Sequence, residues 1–140
     1  GLTPVAMVPD YELATSKARA ALPKEVPFKD AVFNVARASY LTAAFARGEI
    51  DGIFSVLEDR LHQPYRAPLI QGFDEIMAQC AQLGCPGYLS GAGPTLMALC
   101  RTEEVERFIA SMEPCLQQYG SWQVMALSPD NQGAMVERFE

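Results

Sequence analysis

Three stretches of this 140-residue chain combine residue types and spacings that could do chemistry. In Ser90-Gly91-Ala92-Gly93-Pro94-Thr95, two glycines one residue apart let the backbone approach a ligand closely and let successive N–H groups converge on an oxygen anion. The same spacing serves a tight turn that feeds a strand. It lacks the Lys of a P-loop, and a strand pattern rather than a helix follows it. Thr15 and Arg19 stand one helical turn apart on one face, where they could grip one end of a polar ligand or act as a cap and a solvated cation. The third stretch is Glu58-Asp59-Arg60-Leu61-His62-Gln63-Pro64-Tyr65-Arg66. Its Arg66, close to Pro68, sits on a loop and could present a planar fork to a carboxylate or phosphate. His62 has neither a Cys partner nor an obvious triad Ser, which leaves a structural hydrogen-bonding role beside a basic one. Glu58 and Asp59 are adjacent and point in different directions, so paired-carboxylate catalysis is unsupported.

Composition bounds the kind of molecule that positions these groups. Hydrophobic residues make up 49% and charged residues 20%, a globular composition of single-domain length. The formal charge of −6 argues against a general nucleic-acid or anionic-membrane surface. That charge is uneven. Residues 1–70 hold eight acidic and eight basic side chains, whereas residues 71–140 hold nine and three. Basic groups are thus concentrated where a local anion site could be built. The start of the chain shows no signal-peptide pattern. The longest charge-free stretch, from Ile76 to Cys100, is interrupted by Gly84, Pro86, Gly87, Gly91, Gly93 and Pro94 and reads as helix, turn and strand, not a membrane span. The four cysteines (80, 85, 100 and 115) form no CxxC pair and read as buried free thiols, with no zinc or other metal site expected and a reducing, cytoplasmic location implied.

The periodicities predict an α+β domain of about four antiparallel strands with helices mainly on one face. Residues 4–9, 95–100, 122–127 and 134–139 read as strands, the last two as a hairpin around Pro129–Gly133. Thr15 or Ser16 is expected to cap a short helix ending near Leu22, and Asp30 a helix running to Arg47 with Gly48 beyond it. That second helix is apolar nearly all round, which places it, with Phe33, Tyr40 and Phe45, in the core. Further helices are expected around 53–61, from Pro68 to Gly84, and from Thr102 to Gly120, the last with an apolar stripe at 105, 108, 109, 112 and 116.

Taken together, Pro9–Leu13, Thr15–Arg19, Leu22-Pro23, Asp30–Asn34, Arg37–Ser39, Glu58–Arg66 and Ser90–Thr95 resemble homoserine kinase, a family within the GHMP small-molecule kinases. The resemblance covers nearly the whole chain in the family's order. The glycine hexapeptide is shared among GHMP kinases, while Glu58–Arg66 is more particular to homoserine kinase. The resemblance implies that residues 1–140 are the ferredoxin-like C-terminal domain, with the N-terminal ATP-binding domain absent from this chain. It implies transfer of the ATP γ-phosphate to the hydroxyl of L-homoserine, giving O-phospho-L-homoserine in threonine biosynthesis. In the family pattern Thr15, Arg19, Arg66 and Gly91 match homoserine-binding positions, with Arg19 and Arg66 neutralising the α-carboxylate. Ser90, Gly91, Ala92 and Gly93 match a loop near the transferring phosphoryl, and Arg60, His62 and Gln63 match residues that support Arg66. The family's Gly-Leu-Gly-Ser-Ser phosphate loop has no counterpart here, so ATP and Mg²⁺ would be bound mainly by the N-terminal part, and the chain alone is expected to be inactive. A homodimer is a further expectation. The alternative is a stand-alone ferredoxin-like module that binds an amino acid as a sensor.

Overall fold

Alternation in the strands and a 3.6-residue period in two helices set the architecture. In the computed structural model, which describes residues 1–137, four antiparallel strands form one sheet: β1 (Leu2–Pro9), β2 (Gly87–Leu89), β3 (Leu96–Arg101) and β4 (Trp122–Ala126). Their order is β2-β3-β1-β4, with β1 paired to β3 from Leu2↔Arg101 to Met7↔Leu96 and to β4 from Val5↔Ala126 to Pro9↔Trp122. The helices are α1 (Thr15–Ala20), α2 (Phe28–Arg47), α3 (Ile50–Phe54), α4 (Gln63–Arg66), α5 (Phe73–Gln82) and α6 (Val105–Leu116). Read with α5 and α6 as the two crossover helices, the chain is a ferredoxin-like β-α-β-β-α-β unit. Residues 10–72, carrying α1 to α4, are inserted between its first strand and first helix.

One face of the sheet carries the main core. Val5 and Met7 of β1 and Leu96, Ala98 and Cys100 of β3 alternate toward Ile76 and Cys80 of α5 and Phe108, Met112 and Leu116 of α6. All of these side chains are buried. A smaller cluster on the opposite face joins Leu99 and Tyr88 to Leu41 and Ala44 of α2 and Ile53 of α3. Helices α5 and α6 therefore cover one face, while α2 and α3 lie against the other, so the expectation of helices mainly on one face holds only for the ferredoxin-like unit itself.

Several local expectations are corrected. The fourth strand of the sheet is Gly87–Leu89, paired with β3 from Gly87↔Ala98 to Leu89↔Leu96, where no strand is expected. Residues 134–137 form no strand, and 138–140 lie outside the described residues. The N-terminal neighbour of α1 is Ala14, with no side-chain cap, so Thr15 is helical rather than capping. Helix α2 starts after Pro27, whose fixed φ suits a helix entry, and leaves Asp30 in the first turn, where its charge favours the helix dipole. The helix expected at 53–61 stops at Phe54, and the one expected from Pro68 is split. Gly72 at φ 74° separates Leu69 from Phe73, and any Cβ there would run into the Tyr119 ring.

The largest correction concerns α2. Val35 is 65% exposed, Phe45 51% and Tyr40 49%, and Ala44 is the one buried residue of the helix. Phe33 is covered by cations instead of core, with the Arg37 guanidinium 3.4 Å and that of Arg60 3.6 Å from its ring centroid. An apolar helix is buried only where something packs on each side, and the described residues cover one edge of α2.

Candidate functional site

The insert and the sheet meet at Arg66. This residue ends α4, a single turn that cannot persist by itself. The Arg66 Nε–H donates to the carbonyl of Ala18 in α1 at 3.2 Å, and Nη1 donates to the carbonyl of Gly91 at 2.9 Å. Nη1 also lies 3.4 Å from His62 Nδ1, which must accept because guanidinium has donors alone. One side chain thus ties α1, the turn before α4 and the glycine loop together. Its Nη2 has no acceptor among the described residues and remains available to an anion.

The loop Ser90–Thr95 is the turn of the β2–β3 hairpin. Ser90 N–H donates to Thr95 O and Gly93 N–H to Ser90 O, both at 3.0 Å. These internal bonds leave the Gly91 and Ala92 N–H groups without a backbone acceptor among the described residues. The two glycines differ in what they require. Both have positive φ, 56° at Gly91 and 82° at Gly93. A Cβ on Gly91 would enter open space, whereas one on Gly93 would stand 3.0 Å from Leu89 Cδ1 and 3.1 Å from Ile70 Cδ1. Gly93 therefore seats the loop on the core and Gly91 faces outward.

Thr15 and Arg19 are exposed on α1, either side of the Ala18 carbonyl that holds Arg66. Thr15 lines a cleft of about 580 Å³ with Tyr11, Leu13, Pro94 and Thr95, which brings the start of α1 beside the exit of the glycine loop. A separate cavity of about 800 Å³ is lined by Glu58, Asp59, Asp74 and Glu75 without a Lys, Arg or His, and so suits no anionic ligand.

The three supporting residues occupy different places. Gln63 Oε1 accepts the Leu89 N–H at 2.6 Å, fastening the start of α4 to β2. His62 touches Arg66 as described. Arg60 turns the other way, onto Phe33, with its Nε 3.3 Å from Glu58 and its Nη1 3.7 Å from Asp30. It meets α2 and not Arg66.

Asp59, which the sequence offers only as a carboxylate beside Glu58 with no role at the site, proves to be central to it. Its carboxylate accepts N–H bonds from Leu61 (3.1 Å), His62 (2.7 Å) and Gln63 (2.7 Å), and the Asn34 amide at 2.6 Å. Burial pushes its pKa up, but these donors outweigh that and hold it below the ordinary carboxylate value. The available signal was an Asp whose following N–H groups lead into a Pro-containing first helical turn. The four cysteines are free, three of them buried, and burial pushes the Cys80 thiol up to about 12. They pack in or against the core and face no part of the Arg66 site. No helix of the described residues is long and apolar enough to cross a membrane.

The chain is similar to known proteins in sequence and in overall fold. Residues 41–115 match the family model "GHMP kinases C terminal". A homoserine kinase of Clostridium beijerinckii is 41% identical over 138 residues, covering 97% of this chain and 46% of that protein. One from Caldicellulosiruptor saccharolyticus is 42% identical over 132 residues, covering 92% and 43%. The crystal structure of homoserine kinase from Cytophaga hutchinsonii superposes with a TM-score of 0.86 at 25% identity, over 91% of this chain and 41% of that one. The chain thus spans less than half the length of the relatives it matches. With the family model covering more than half of its residues, the chain belongs to the GHMP kinase C-terminal family.

Proposed function

We propose that this chain is the substrate-binding, C-terminal part of a homoserine kinase, which transfers the ATP γ-phosphate to the hydroxyl of L-homoserine and yields O-phospho-L-homoserine for threonine biosynthesis. The observation that carries the reading is Arg66, held between α1 and the Gly91 carbonyl with its Nη2 open. A carboxylate placed there gains a charge-assisted contact, and Arg19 on the same helix adds a second positive charge. Fixing the α-carboxylate leaves the distal hydroxyl of a short amino acid with few positions to occupy, which is the entropic part of catalysis. Thr15 supplies a hydroxyl for a polar end of the substrate, and the Gly91 and Ala92 N–H groups supply donors beside the loop.

The described residues do not make a nucleotide or Mg²⁺ site by themselves. The loop offers two N–H groups, leads into a strand and not a helix, and carries no cation; among the described residues no cluster of three ligating side chains could hold a metal. ATP and Mg²⁺ therefore belong, in this proposal, to an N-terminal part outside these 140 residues. The setting is the cytoplasm, which suits four unpaired thiols. A homodimer would use the exposed apolar side chains of α2.

The test is a coupled ADP assay on the full-length protein that carries this chain and on the chain alone. Homoserine-dependent ADP release from the former and none from the latter is expected. Release from the chain alone overturns the division of labour, and no homoserine-dependent release from the full-length protein overturns the reading.

A further inference from the structure

The Asp59 carboxylate is 12% exposed, and no Lys or Arg lies within 4 Å of it among the described residues. His62 Nε2 stands 3.8 Å from its Oδ1, beyond hydrogen-bond range. A carboxylate in this position is normally neutralised by a cation. Here it is satisfied by three successive backbone N–H groups and one amide. Those three N–H groups belong to Leu61, His62 and Gln63, the residues that open α4, and the turn they fix delivers Arg66 three residues later.

The far anchor is Asn34, in the second turn of the 20-residue helix α2. Its Nδ2 donates to Asp59 Oδ1 at 2.6 Å while its Oδ1 accepts the Arg60 N–H at 2.9 Å. Both ends of the amide are committed, so it cannot flip without setting two donors against each other. The chain of contacts runs from the long helix through Asn34 and Asp59 to the turn, and from α4 to the Arg66 guanidinium and the Gly91 carbonyl.

We infer that Asp59, locked by Asn34, is a positioning residue that aims the Arg66 guanidinium at the substrate carboxylate. This rests on the homoserine kinase reading and adds to it a role for two residues that do not touch the substrate. Because a one-turn helix has little stability of its own, the direction of Arg66 is set by what holds its start. Loss of that hold lets the guanidinium swing while the sheet and α6 stay intact.

The test exploits the fixed amide. In Asp59→Asn one oxygen still accepts the backbone N–H groups, but the new NH₂ faces the NH₂ of Asn34, so the lock is broken and the turn cap is kept. The reciprocal double variant, Asn34→Asp with Asp59→Asn, restores a donor–acceptor pair, because a carboxylate at position 34 can accept both from the amide at position 59 and from the Arg60 N–H. The charge of the pair is unchanged. In the full-length kinase carrying this chain, Asp59→Asn is expected to raise the homoserine KM by about tenfold or more, with the ATP KM within about twofold. The double variant is expected to return the homoserine KM to within about threefold of the parent. Arg66→Ala is measured alongside. If Arg66→Ala raises the homoserine KM and Asp59→Asn does not, the positioning role is wrong and the kinase reading stands. If Arg66→Ala has no effect, the clamp and the role built on it both fall. If Asp59→Asn does not fold, the double variant decides: a parental homoserine KM supports the lock and a raised one overturns it.

Discussion

The ferredoxin-like unit and the segment inserted into it are held by different physics. In the first, Phe108, Met112 and Leu116 of α6 meet Val5, Met7 and Leu96 of the sheet with all six side chains buried, and the stabilisation is removal of apolar surface from water. In residues 10–72 three side chains are buried below a tenth of their surface before Ile70: Ala18, Ala44 and Ile53. What fixes the functional end of this segment is directional: Asn34 to Asp59, Asp59 to three N–H groups, Gln63 to Leu89, and Arg66 to Ala18 and Gly91. Hydrophobic burial is non-directional and tolerates small displacements, whereas a hydrogen bond weakens steeply as its angle departs from linear. The teaching is that the stable unit carries the site and the polar network aims it.

That contrast can be broken from either side. The largest effect is expected in the core: Phe108→Ala should cost about 3–5 kcal/mol in urea unfolding, because the ring is fully buried under the sheet. The homoserine KM of the protein that remains folded should stay at the parental value. Next comes the loop that joins the two regions. Gly93→Ala should cost about 1–3 kcal/mol, since it combines a φ of 82° with Leu89 and Ile70 carbons near 3 Å. Gly91→Ala meets open space and should cost only its backbone strain, about 1–2 kcal/mol. Equal losses at the two positions would show that loop seating on the core does not matter.

A smaller effect tests the polar network through pH. The folded pKa of Asp59 lies below its ordinary value of 3.8, so the folded state prefers the carboxylate. Its contribution is therefore complete at neutral pH, begins to fade as pH falls toward that value, and is gone below the folded pKa. Asp59→Asn should make stability less steep in pH below about 4.5. A slope equal to that of the parent would mean that other carboxylates govern acid unfolding. The smallest effect is expected on α2: Val35→Ser should change the stability of this chain by less than about 0.5 kcal/mol, because Val35 is 65% exposed.

These same regions differ in how far sequence reveals them. The stripe of α6 was legible because Val105, Phe108, Ile109, Met112 and Leu116 repeat with the helical period, and all five pack in or against the core. Strand β2 was not, because three residues behind Pro86 are too few to show alternation. Helix α2 was misjudged as core because composition reports what a helix could bury, while its surroundings decide what it does bury. Thr15, Arg19, Arg66 and the Gly91 loop were singled out by residue type and by family resemblance, and the structure brings α1, Arg66 and the loop together. Asp59 escaped because its decisive partner, Asn34, is 25 residues away, and such a pairing leaves no local pattern.

The central claim is that Arg66 turns this polar network into recognition of a carboxylate. The direct measurement is the homoserine KM of Arg66→Ala in the full-length protein that carries this chain, with the ATP KM as internal reference. Loss of one charge-assisted hydrogen-bonding group predicts a rise of roughly ten- to a hundredfold for homoserine and an ATP KM within about twofold. A homoserine KM that does not move would contradict the account.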